Sequence, residues 1–409
     1  MLKDDCLYIV KEAIARVLPD EAVKRALGGR EFPDGRLILV SVGKAAWSMA
    51  SAAHSVLGTR IDRGIVITKH GYSKGAIGDL SVREAGHPVP DADTFSATRE
   101  ALELTRGLAP EDTVLFLLSG GGSALFEAPV IPEDELRDIT GQLLACGADI
   151  VEMNTVRKRL SGVKGGRFAR HCAPARVFTV VLSDIIGDPL DMIASGPAYP
   201  DASTCADAVR IAEKYALHLS DAAWAALKTE TPKTLSNTET HITGSVRELC
   251  AAAAGACRKL GYEPQVLTDC LDCEAREAGR FLASIARSHQ NAGRSIAFIA
   301  GGETVVHITG RGRGGRNQEL ALAAADGIAG LEDTAVFSVG SDGTDGPTDA
   351  AGGYADGGSL AALRALGFDT YDVLRRNDSY TALKAVDSLI FTGATGTNVN
   401  DVAVILIKR

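Results

Sequence analysis

Nine residues, Arg311 to Glu319, carry the densest chemistry of the chain: Arg-Gly-Arg-Gly-Gly-Arg-Asn-Gln-Glu. Glycines let main-chain N–H groups approach a ligand closely. A helix start adds free N–H donors and the positive end of a dipole. Three arginines add planar cationic forks suited to phosphate or carboxylate. The stretch therefore predicts an anion-holding loop between a strand over 304–309 and a helix over 320–329. Carboxylates recur elsewhere among glycines: Asp342, Asp345 and Asp349 in one run, Asp184 and Asp188 on either side of Gly187 in another. Hard oxygen donors on short turns suit magnesium held jointly with a phosphate chain. Such runs are also ordinary turn chemistry. Asp184, Asp342 and Asp345 are the expected metal ligands.

Three other stretches have the residue types for anion chemistry. Ser119-Gly120-Gly121-Gly122-Ser123 has a main chain able to fold round a phosphate, with a hydroxyl at each end. It lacks the closing Gly-Lys-Ser/Thr of a P-loop and the spacing of a nucleophile elbow. The run from Asn154 to Arg167 is basic and contains Lys164-Gly165-Gly166. It reads either as a solvated helix face or as an anion contact. Lys44 follows a buried strand at a helix start, where a lysine can neutralise an anionic substrate or a developing phosphoryl charge. His87, in a tight Gly-His-Pro turn, reads first as a structural hydrogen-bonding residue. Cys270 and Cys273 form a lone C-x-x-C that no second pair completes into a zinc site.

Gly310 to Gly315 also fits G-x-G-x-x-G, with Asp342 at the end of the next strand. This keeps an NAD-dependent dehydrogenase open as an alternative. Its spacing is long, 27 residues from Gly315 to Asp342, against about 20 in dinucleotide folds.

The elements that must position these groups alternate strand and helix. Apolar strands are expected at 36–42, 64–68, 113–118 and 177–182, with helices over 45–57, 94–108, 132–146 and 151–160. A polar, turn-rich stretch at 231–238 marks a boundary. Beyond it, helices are expected over 246–260 and 274–289. Strands are expected over 263–267, 295–300 and 334–339, with a final pair over 389–392 and 402–408. The βαβ repetition implies an α/β fold of two domains, 1–235 and 236–409. Each would have a mostly parallel sheet flanked by helices, with the active site in the cleft between them. The loaded loops all follow strands, where open α/β sheets gather ligands.

Composition narrows the function classes. The chain has 409 residues, 45% hydrophobic and 23% charged, enough apolar residues for a sizeable core. A net charge of -9 and 5% aromatics argue against a nucleic-acid surface. The amino terminus has no apolar signal core, and no stretch reaches the ~18 apolar residues of a membrane span. A soluble cytoplasmic protein is expected. A homodimer is compatible with the sequence, which leaves the oligomeric state open.

Several strings together resemble one family, the class II glycerate kinases. They are Leu118 to Ala124, Lys158 to Gly166, Ser183 to Asp188 with Ile193 to Pro197, Gly301 to Thr304, Gly314 to Glu319 and Ser341 to Ala350. The resemblance runs from about Lys44 to Asp401 in the family's order. It implies a Rossmann-like amino-terminal kinase domain and a carboxy-terminal domain named for its leucine-rich fragments. It also implies ATP-dependent phosphorylation of D-glycerate to 2-phosphoglycerate with magnesium. Some members carry the older label hydroxypyruvate reductase, the particular dehydrogenase the alternative would be; a non-catalytic sugar-phosphate sensor is the third reading. By motif, Lys44 and Arg316 become the groups expected to stabilise charge. Asp188 would accept the hydroxyl proton. Ser119, Gly120, Gly121, Gly122, Ser123, Lys164, Gly165, Gly166, Asn317 and Glu319 would contact substrate or nucleotide.

Overall fold

The computed structural model describes residues 2–409. Its twelve strands form two six-stranded sheets. The first contains β1 (Leu37–Val42), β2 (Arg63–Lys69), β3 (Ser81–Ala85), β4 (Thr113–Leu118), β5 (Arg176–Leu182) and β6 (Thr238–Gly244), in the order β3-β2-β1-β4-β5-β6. The β3–β2, β2–β1, β1–β4 and β4–β5 pairings are parallel. Such a sheet is covered on both faces, so its central strands need no polar alternation. β1 and β4 are accordingly buried at every position. Leu37, Leu39, Leu115 and Leu117 pack on one face against Ala46, Met49 and Ala53 of the helix Ala46–Leu57. Phe116 meets Phe126 and Phe168, with ring centroids 5.8 and 4.9 Å away. These rings clamp the segments that follow Ser123 and Gly166.

The second sheet contains β7 (Glu263–Leu271), β8 (Ile296–Gly302), β9 (Thr334–Gly340), β10 (Gly352–Asp356), β11 (Leu389–Ile390) and β12 (Asp401–Ile407), in the order β11-β10-β9-β12-β8-β7. Only its β7–β8 pairing is parallel; the other four are antiparallel. The sheet is therefore mixed, where a mostly parallel one was expected. The last two strands do not pair with each other. β12 inserts between β8 and β9, while β11 extends the edge at β10. An apolar run such as Val402–Ile407 suits any central position, so its composition does not choose a partner. The expected strand over 304–309 is irregular apart from one bridge, Val305 to Glu274.

Two compact units result, and a single cut at 235 does not describe them. One comprises the segment through Glu21, Ser183–Gly187 and Gly244–Arg409; the other comprises Ala22–Leu182 and Asp188–Thr243. The amino-terminal helix Leu2–Arg16 buries Cys6, Ile9, Val10 and Ala13 against Leu249, Ala253, Phe337 and Val404 of the second sheet's unit. β6 lies beyond residue 235 yet completes the first sheet. Burial of apolar faces sets these memberships, and the turn composition at 231–238 marks only a loop. No helix among the described residues is long and apolar enough to cross a membrane.

Candidate active site

In the first sheet, β2 and β3 lie to one side of β1, and β4, β5 and β6 to the other. Connections leaving β1 and β4 diverge, which makes their carboxyl ends the switch point where open α/β sheets take ligands. Lys44 and the Ser119–Ser123 loop stand at that point. The Lys44 N–H donates to the Gly120 carbonyl at 2.9 Å, and the Ala45 N–H donates to Ser119 Oγ at 3.1 Å. Ser119 is buried, so its hydroxyl joins the two loops instead of meeting a ligand as expected. Gly121 adopts φ +87°, and a Cβ there would lie 3.0 Å from the His87 ring and 3.2 Å from Lys44 Cγ. The missing side chain is what lets His87 and Lys44 close over the loop. Burial, with Lys44 and then Lys69 nearby, pulls the His87 imidazole below its ordinary range. Its surroundings thus favour the neutral imidazole.

Ser123 Oγ lies 3.0 Å from Ser195 Oγ, which in turn donates to Asn154 Oδ1 at 3.0 Å. Neither Ser195 nor Asn154 was singled out as a site residue, although Ser195 sits in one of the family strings. Three cations of the basic run, Lys158, Arg159 and Lys164, are neither on a solvated face nor open to an anion. Lys158 pairs with Asp201 at 3.0 Å and Asp191 at 3.3 Å, and Arg159 with Asp201 at 3.5 Å. Lys164 is wholly buried, ion-paired with Glu127 and donating to the Phe126 carbonyl at 3.1 Å. Burial drives the Lys164 ammonium down to about 8 against the pull of Glu127. The N–H groups of Gly165 and Gly166 donate to the Ser195 and Gly196 carbonyls at 2.9 and 2.7 Å. Lys164, Gly165 and Gly166 thus hold the Ser195 turn in place, and their expected ligand role is withdrawn.

On the second sheet, strand direction gathers a different set. β12 runs against β8 and β9, so its first residue, Asp401, aligns with the last residues of both, Gly302 and Gly340. Glu303 follows Gly302 directly, and Asp342 is two residues past Gly340. Arg316, at the start of the helix Arg316–Gly327, reaches Asp401 Oδ2 at 2.5 Å, Asp401 Oδ1 at 3.0 Å and Glu303 Oε1 at 2.7 Å. Asn400 Nδ2 donates to Glu303 Oε2 at 3.0 Å and to the Asp184 carbonyl at 3.2 Å. Asp342 Oδ1 accepts from the Thr344 N–H at 2.9 Å. A Cβ on Gly340 would lie 3.3 Å from Asp342 Oδ1 and 3.4 Å from Asp401 Oδ1. Glu303 and Asp401, both essential to this arrangement, were not among the expected site residues. Their signal was the register of β12, which no local pattern contains.

The helix start that predicted an external anion already holds an internal one. Asp345 Oδ1 accepts from the Asn317 N–H at 3.1 Å and Oδ2 from the Gln318 N–H at 2.9 Å. Asp345 is buried, and burial pushes its carboxyl up to about 6. This is a helix cap, not a ligand free for metal. Asn317 and Glu319 also face inward. Asn317 Oδ1 accepts from Ser338 Oγ at 2.5 Å, and Glu319 pairs with Arg276 at 3.0 Å. The loop before them spends its main chain on residues 376–378. The Gly310 N–H donates to Asn377 Oδ1 at 2.8 Å, the Gly312 N–H to the Arg376 carbonyl at 2.8 Å, and the Arg313 N–H to Asp378 Oδ1 at 3.1 Å. The anion-holding loop of the sequence reading is thereby replaced by an internally bonded one.

Asp184 and Asp188, expected together, fall in different compact units. Asp188 has φ 52°, and its Oδ1 is buried without a hydrogen-bond partner. Among the described residues, the one group of three carboxylate or imidazole ligand atoms within 4.8 Å is His70, Asp91 and Asp93. In it His70 Nε2 already bonds Asp91 at 2.8 Å. The dehydrogenase alternative loses its context, because the G-x-G-x-x-G glycines follow no strand. The first sheet does have the strand order of a dinucleotide fold, but its β1 leads into Gly43-Lys44-Ala45 and not into that fingerprint.

The fold is a two-sheet α/β one, with Lys44 at the strand ends of the first sheet and a carboxylate cluster at the strand ends of the second. Residues 5–228 match a family described as a domain of unknown function, DUF4147, and residues 296–401 match the MOFRL family. The D-glycerate 2-kinase of Thermotoga maritima is 52% identical over 99% of this chain and 98% of its own length. The glycerate 2-kinase of Pyrococcus horikoshii is 39% identical over 98% and 96%. A crystal structure of glycerate kinase from Thermotoga maritima superposes with a TM-score of 0.95, covering 99% of each chain. The chain belongs to the glycerate 2-kinase family.

Proposed function

We propose that this protein transfers the terminal phosphoryl group of ATP to the 2-hydroxyl of D-glycerate, forming 2-phosphoglycerate and ADP. The likeness to the Thermotoga maritima D-glycerate 2-kinase over nearly the whole chain carries this reading. The two strand edges support it. In the reaction the 2-hydroxyl oxygen bonds to the γ-phosphorus, the bond from that phosphorus to the β–γ bridging oxygen breaks, and the hydroxyl proton leaves. Positioning and charge stabilisation do most of the work in such a transfer. Lys44, at the strand ends of the first sheet, and Arg316, at a helix start beside the second, are each a cation able to stabilise phosphoryl charge. Asp188, with a carboxylate oxygen that has no partner, accepts the proton.

The second sheet's edge also fits a divalent cation. Glu303 and Asp401 set two carboxylates against the single guanidinium of Arg316, and Asp342 follows the neighbouring strand end. Magnesium takes one or two carboxylates together with substrate phosphates and does not need a full protein cage. Asp342 and Glu303, together with Asp184, whose main-chain carbonyl accepts from the same Asn400 amide as Glu303, are the residues that would hold it. When bound it supplies charge neutralisation on the nucleotide phosphates.

The test is an ADP-release assay with D-glycerate beside an NADH-oxidation assay with hydroxypyruvate. ADP release without NADH oxidation is expected, and phosphorus NMR of the product should show a doublet from the single hydrogen at C2. A triplet would place the phosphate on the 3-hydroxyl. NADH oxidation alone would restore the reductase, and silence in both assays would favour a sugar-phosphate sensor.

A further inference from the structure

Near Ser123 the buried Lys164 and the partly buried Arg157 share one buried anion, Glu127. Lys164 is committed to Glu127 and to the Phe126 carbonyl. Arg157 shares the field of the same Glu127 and is repelled by Lys164. Its Nη2 donates to the Ser123 carbonyl at 3.2 Å, and its Nε is buried with no partner. A guanidinium with an unmade hydrogen bond has a donor to spare for a carboxylate.

The hydroxyls beside it have a defined direction. A serine has one proton to donate. Ser195 gives its proton to Asn154 Oδ1, so the 3.0 Å contact with Ser123 is a donation from Ser123 to Ser195. The lone pairs of Ser123 Oγ then remain to accept from a ligand hydroxyl. The chain ends on a neutral amide, which takes up no proton. It therefore suits a hydroxyl that keeps its proton, and not the one that attacks phosphorus. Backbone strain marks the same turn: Ala194 has φ 50° and Ser195 φ 62°, in the left-handed region that non-glycine residues avoid. Asn154 and Arg157 lie three residues apart on the helix Ile150–Arg159, so both project from one face.

We propose that Arg157 and Ser123 form the acceptor subsite, with Arg157 forking the glycerate carboxylate and Ser123, oriented by Ser195 and Asn154, accepting the 3-hydroxyl. This rests on the glycerate kinase reading. It makes Ser195 and Asn154 positioning residues that set specificity for a 2,3-dihydroxy acid over one lacking the 3-hydroxyl.

The experiment compares the parent with Arg157→Lys and Ser195→Ala, using D-glycerate and D-lactate as acceptors. Arg157→Lys keeps the charge but loses the fork. It should raise KM for D-glycerate ~10-fold, one hydrogen bond to a charged group, with KM for ATP unchanged. Ser195→Ala should lower the D-glycerate to D-lactate ratio of kcat/KM ~10-fold. An unchanged glycerate KM in Arg157→Lys, a rise in the ATP KM in its place, or an unchanged ratio in Ser195→Ala overturns the proposal. Calorimetric binding of D-glycerate without ATP separates this from the function itself. If the parent binds D-glycerate but transfers no phosphate, the kinase reading fails, and the affinity of Arg157→Lys still decides the subsite. If the parent does not bind it, both fail. Melting temperatures confirm that each variant is folded, and either variant alone can overturn the proposal.

Discussion

Arg316 grips Asp401 with two nitrogens, Nε to Oδ2 at 2.5 Å and Nη2 to Oδ1 at 3.0 Å. Asp401 is 8% exposed, so the pair is not an ordinary surface ion pair. The guanidinium that is proposed to meet phosphoryl charge also neutralises a nearly buried carboxylate at the start of a central strand.

Removing Arg316 should therefore damage rate and fold together. Arg316→Ala is expected to lower kcat ~10²–10³-fold, the usual loss for an electrostatic stabiliser. It should also cost about 3–5 kcal/mol of stability, the penalty for leaving a buried charge alone. Adding Asp401→Asn to Arg316→Ala should recover most of the stability in urea denaturation but not the rate. Recovery of the rate in the double variant would reduce Arg316 to a partner of Asp401.

Lys44 allows a size test. Gly121 lies against its Cγ, where even a Cβ would be only 3.2 Å away, so a wide guanidinium should not replace the compact ammonium. Lys44→Ala and Lys44→Arg should both lower kcat and kcat/KM together, by ~10²-fold or more. A raised KM for glycerate with kcat intact would show instead that Lys44 anchors the substrate. Parental kinetics at low glycerate in both variants would end its role.

Asp342→Asn should raise the magnesium concentration for half-maximal rate. The amide keeps an oxygen but loses the charge a hard cation prefers. Asp345→Asn should leave that titration unmoved, because both Asp345 oxygens cap the helix. An unshifted titration for Asp342→Asn would return its loop to a purely structural turn.

Asp345 also predicts a pH dependence. Its folded carboxyl sits at about 6, raised by burial from 3.8. As pH falls through 6, the folded protein takes up a proton that the unfolded chain takes up only near 4. Stability from this residue therefore rises between pH 6 and 4 and is lost again as pH climbs past 6. The parent should gain on the order of 3 kcal/mol over the variant Asp345→Asn between pH 7 and pH 4. A stability difference that does not change with pH would contradict the assignment.

The chain's local patterns were enough to place most strands and helices. Thr113–Leu118 and Val246–Lys259 form where apolar runs and helical periodicity put them, because those signals come from neighbours in sequence. The strand-end position of Lys44 and of the Ser119–Ser123 loop was legible for the same reason. Residue type alone misjudged the partners. Lys164, Asn317, Glu319 and Asp345 have the chemistry of ligands, but each is consumed by an internal contact with a residue 27 or more positions away.

The sequence by itself determined the α/β class, the family and the strand ends that carry chemistry, since each is written in contiguous residues. Only the tertiary structure decided which charges remain open to a ligand. The antiparallel insertion of β12 sets Asp401 beside Arg316. The left-handed turn at Ala194–Ser195 brings Ser195 to Ser123. Pairing of charges and hydroxyls depends on sheet register and on which groups are buried together, and both are set by the packing of distant segments.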